Sequence, residues 1–116
     1  MASKIDPELA RSLRKEFQAS NEAAGEHAWK TADGHFLKGF YIDRESIESL
    51  LKDEKVAGIH VSFAKHPDFV GKPDKVHTLT VSGSVPNTTP GAAAPFVSTG
   101  EVISNVPPCP TMCFNP

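Results

Sequence analysis

The sequence predicts an α+β fold: two or three N-terminal helices packed on a small antiparallel sheet, followed by an extended Pro-rich C-terminal segment. Three observations predict it. Two apolar stripes at helical spacing each follow a capping residue. Two alternating apolar/polar runs are separated by a Pro/Gly loop. All 12 Lys and Arg, and every acid except Glu101, fall in residues 1–75 of the 116, while seven of the ten prolines fall in 86–116. Residues 1–85 therefore read as an ordinary α+β body. Residues 86–116 read as a neutral segment packed on the same or a neighbouring chain, with one domain overall.

The first helix starts at Ile5-Asp6-Pro7-Glu8. Asp6 suits the cap, and Pro7 suits the first turn because its missing N–H would be unpaired there. Leu9, Leu13 and Phe17, with Ala10, make one stripe and predict a helix over 7–19. A shorter helix is expected over 21–30, with Ala24, Ala28 and Trp29 inward and Gly25 weakening it. Asp33-Gly34 marks a turn. His35 to Ile42 is aromatic and reads as a short strand or an extended entry into the next helix. Asp43 caps a helix over 44–54, with Ile42 and Ile47 at the spacing of a hydrophobic staple.

Gly58 to Lys65 alternates, placing Ile59, Val61 and Phe63 on one face and His60 and Ser62 on the other. Val76 to Val85 places Leu79, Val81 and Val85 opposite Thr78, Thr80, Ser82 and Ser84. These two strands are expected to pair antiparallel around the loop 66–74, with a third strand over 96–103.

Composition excludes several functions. No apolar run reaches the ~20 residues of a membrane-spanning helix. The charged stretch Met1 to Phe17 lacks the apolar core of a signal peptide, which points to the cytoplasm. A net charge of −2 argues against nucleic acid as a partner. There is no G-x-S-x-G elbow, no G-x-G-x-x-G and no P-loop. The acid pairs Asp33/Asp43 and Glu45/Glu48 are explained by caps and a solvated helix face. No catalytic residue and no cofactor is therefore expected.

Three features remain. Val76–Val85 is a ten-residue β-prone run without charge or internal proline. At a sheet edge such a run invites another strand; in the centre it is flanked by the other two. The expected function is a non-catalytic interaction or assembly module that binds protein, foremost a second copy of itself, through residues 76–116. The interface residues would be Thr78, Thr80, Ser82, Phe96, Val97, Val102, Ile103 and Phe114. Cys109 and Cys113, spaced C-x₃-C, are the second feature. They read as two small apolar anchors, a reversible disulfide, or half of a zinc site whose other ligands would come from His35, His60, His66 or His77. The third is a small-ligand pocket lined by Trp29, Phe36, Phe40 and Tyr41, without convergent polar groups to define a ligand.

The runs Phe40-Tyr41-Ile42, Gly58 to Ala64 and Thr78 to Gly83, with the terminal Pro108-Cys109-Pro110-x-x-Cys113, resemble a group of short uncharacterised bacterial proteins ending in P-C-P-x-x-C. The similarity spans roughly residues 36–113. It implies a bacterial protein with no known catalysis and carries over no site residues.

Overall fold

A computed structural model describes residues 2–91, 93–104 and 106–109. Among the described residues the fold is α+β, with two α-helices, a three-stranded antiparallel sheet and a two-stranded one. Helix α1 spans Pro7–Ala23, four residues longer than its stripe predicts. Asp6 holds the cap position and its carbonyl accepts from Ala10 N at 3.0 Å, but its side chain caps nothing. The second helix expected over 21–30 does not form. Asn21–Ala23 extend α1 instead, and Gly25 takes the left-handed φ of +60° that ends the helix. A single 3₁₀ turn, Gly25–His27, follows.

α1 does not present its apolar stripe to the body. Ile5, Leu9, Leu13 and Phe17 are all exposed. The inward side holds Ala10, Arg14 and Gln18, half-buried, and Asn21, buried. Ala10, Arg14 and Gln18 each follow a stripe residue by one position, about 100° further round the helix. Asn21 sets this rotation. Its amide nitrogen donates to Trp29 O at 2.9 Å and Leu37 O at 3.4 Å, and its oxygen accepts from Trp29 N at 2.8 Å.

The chain then turns through Thr31–His35, with Gly34 at φ +89° where the sequence places a turn. Strand β1, Gly39–Phe40, pairs antiparallel with β5, Pro108–Cys109, far along the chain. Helix α2 spans Arg44–Leu50. Asp43 caps it, accepting from Ser46 N at 3.0 Å and Ser46 Oγ at 2.6 Å. The helix ends four residues short of 54 because Asp53 builds a turn of its own: its carboxylate accepts from Lys55 N and its carbonyl from Val56 N.

Strands β2 (Gly58–Lys65) and β3 (His77–Pro86) pair antiparallel along their length, with Val61 opposite Val81. Strand β4 (Phe96–Ile103) pairs with the second half of β3, with a bulge between Ser82 and Ser84. Side chains alternate across the sheet. One face carries Ile59, Leu79, Val81 and Ile103 toward α2. The core is small: Leu50, Leu79, Val81 and Val106, with Phe40, Ile42, Ile59 and Ile103 packed around it. Gly83 lets α2 end directly on the sheet. A Cβ there would lie 3.1 Å from Leu50 O and 3.2 Å from Val56 Cγ2.

Candidate functional site: a sheet edge and a polar cleft

β3 is not an edge strand. It lies between β2 and β4, and β4 covers it over residues 81–86, so that stretch cannot receive another strand. The reason is local: the loop 66–76 folds β2 back onto one side of β3, and the turn after Pro86 folds β4 onto the other. Among the expected interface residues, Thr78 is buried and Thr80 and Ser82 are half-buried on the face away from α2. Phe96, Val97 and Val102 on β4 are exposed, while Ile103 packs against the core. Phe114 lies outside the described residues.

The outer strands are β2 and β4. β4 carries defences against further pairing: the bulge opposite Ser82/Ser84, Gly100 at φ +94°, and Glu101, which accepts from Ser49 Oγ at 2.7 Å. β2 has no such bulge or positive-φ glycine, and its charge, Lys65, stands at its last position. From Gly58 to Ala64 it carries no charge and no proline, and it exposes Val61 and Phe63, the latter 70% accessible. Alternation along Gly58 to Lys65 reads as a half-buried strand with both on the apolar, inward face. Neither is buried, because the core cluster reaches across β3 only as far as Ile59.

Trp29 meets the end of this strand. Its ring stands edge-on to Phe63 at 5.4 Å and to His77 at 4.9 Å. Burial lowers the His77 pKa, and the charges of Lys65 and Lys75 lower it further. The unfolded chain therefore takes up a proton near the ordinary value of 6.5 while the folded protein still excludes it. Stability should be unaffected above about pH 7.5 and should fall as pH drops through the interval between 6.5 and the lowered value. Thermal melts at about pH 7.5 and about pH 5.5 should show a smaller acid loss in His77→Phe than in the wild type. Equal losses in the two proteins would remove His77 from the account.

A cleft of about 760 Å³ opens beside this cluster. Phe40 lines it, but Trp29, Phe36 and Tyr41 do not, which corrects the pocket expected from sequence. Its polar wall comes from four segments: Thr31 and Asp33 on the turn after Trp29, His66 and Asp68 after β2, His77 and Thr78 at the start of β3, and Ser104 after β4. Convergent polar groups are thus present where the sequence showed none. The available signal was the strand pairing. Lys65 opposite His77 brings both ends of the 66–76 loop to one place.

Cys109 lies in β5 opposite Gly39, and Cys113 lies outside the described residues. Among the described residues no three His, Cys, Asp or Glu side chains gather to hold a metal ion. Among them, too, no helix is long and apolar enough to cross a membrane. No family model, no curated protein and no solved structure matches the chain.

Proposed function

We propose that the protein is a non-catalytic assembly module whose sheet continues into a second copy of the same chain across β2. The observation that carries this reading is the undefended edge of β2, with Val61 and Phe63 exposed along it. An unpaired strand edge offers a row of backbone donors and acceptors to another strand. Antiparallel self-pairing about a two-fold axis at Val61 sets Val61 against its own copy and Phe63 against Ile59, all on one face. His60 then meets Ser62. The two Lys65 residues lie at opposite ends of the paired strands and do not repel. The product is a six-stranded sheet with no edge at its centre.

Val61→Lys tests it, because two ammonium groups would face each other at the axis. Light scattering after size exclusion should give a two-chain mass for the wild type and a one-chain mass for Val61→Lys, with an unchanged circular dichroism spectrum. Leu9→Lys, on the exposed stripe of α1, should leave the two-chain mass intact. A wild type that stays monomeric to millimolar concentration overturns the proposal. So does a dimer that Leu9→Lys breaks and Val61→Lys does not.

A further inference from the structure

The cleft beside His77 has a composition that selects the charge of a ligand. Among the described residues its lining contains two carboxylates, Asp33 and Asp68, and neither Lys nor Arg. Asp33 is held ionised: the Thr31 hydroxyl donates to its carboxylate, which keeps its pKa below the ordinary 3.8, and His35 Nε2 lies 3.6 Å from it. Asp68 donates its backbone N–H to His66 Nδ1 at 3.1 Å, which places the proton of a neutral His66 on Nε2. Asp68 is exposed. His77 is neutral at pH 7, since its pKa is lowered from 6.5. Lys65 and Lys75 act on His77 but are not part of the lining, and Lys65 Nζ is turned to the Asp74 carbonyl.

Apart from Thr78 and Ser104, the rest of the lining is apolar. Phe40, Val106, Pro107 and Pro108 line the cleft where the chain returns from β4 to pair with β1. A volume of about 760 Å³ falls in the ordinary range for small organic ligands, and such sites combine apolar walls with a few convergent polar groups. Two carboxylates in one lining with apolar residues and an aromatic ring suit an ammonium on a hydrophobic body. Three ligating side chains do not gather among the described residues, which disfavours a bare divalent ion here.

We infer that this cleft binds a small organic cation, a primary amine attached to an apolar ring or chain, with Asp33 and Asp68 as its counter-charges and Phe40 beside its apolar part. The site is independent of the β2 edge.

Benzylamine, benzyl alcohol and benzoate are suitable probes, since they share a ring and differ in charge. Amide chemical-shift titrations should show benzylamine moving Thr31, Asp68 and His77, with benzyl alcohol weaker and benzoate weakest. Asp68→Asn should weaken benzylamine roughly three- to fivefold, as expected for a partly solvated ion pair, and should leave benzyl alcohol unchanged. Asp33→Asn keeps an acceptor for Thr31 and so preserves the turn; combined with Asp68→Asn it should weaken benzylamine by roughly tenfold. Benzoate binding as tightly as benzylamine overturns the inference. So does benzylamine affinity unchanged in the double variant, or no response to benzylamine at millimolar concentration.

Discussion

Leu50→Ala should destabilise the protein by about 2–5 kcal/mol, the largest loss expected from one core truncation here. Leu50 closes α2 and is only 2% accessible. It sits over Gly83 and joins Leu79, Val81 and Val106 in the core. The space it leaves cannot be filled easily. Gly83 has no side chain to move in, and the backbone of α2 is already in close contact with the strand. A domain of this length has a total stability of about 6–17 kcal/mol, so the loss is a large fraction of it. Thermal melts should fall by about 10 °C or more. The neighbouring Leu51 is half-exposed, and Leu51→Ala should cost less than about 1 kcal/mol. Similar losses at the two leucines would mean that α2 is not seated as described.

Asn21→Leu should cost about 1–3 kcal/mol, the penalty for leaving buried polar groups without partners. The change preserves bulk and raises helix propensity, so a gain would be expected if α1 were held by apolar packing. It is held by the Asn21 amide, which serves Trp29 N, Trp29 O and Leu37 O together. Without it, amide hydrogens of α1 should exchange faster than those of β3. Asn21→Asp should be no better. It keeps the acceptor for Trp29 N but turns a second acceptor toward two carbonyls. A melting temperature unchanged in Asn21→Leu would transfer the attachment of α1 to other contacts.

Both variants mark where local pattern stopped being informative. The cap at Asp43 was legible because it needs only a carboxylate three residues before a backbone N–H. The Asp33-Gly34 turn was legible for the same kind of reason. Leu50 and Leu51 are equivalent to any periodicity argument at the end of a short helix, and only the approach to Gly83 separates them. The polar cleft was not legible, because its groups come from four segments brought together by strand pairing.

The amino-acid sequence by itself determined the α+β class, the three strands of the larger sheet and the starts of both α-helices. Those depend on side-chain alternation, helical spacing and capping within a few residues. Tertiary structure decided three things. The rotation of α1 follows from Asn21 reaching backbone groups eight and sixteen residues away, which turns the stripe of Leu9, Leu13 and Phe17 outward. The burial of β3 and the exposure of β2 follow from sheet order, to which a period of two is blind. The charge of the cleft follows from loops that meet only once the strands are paired. In each case the deciding contact lies between groups far apart in the chain, where spacing carries no information about which face or edge is covered.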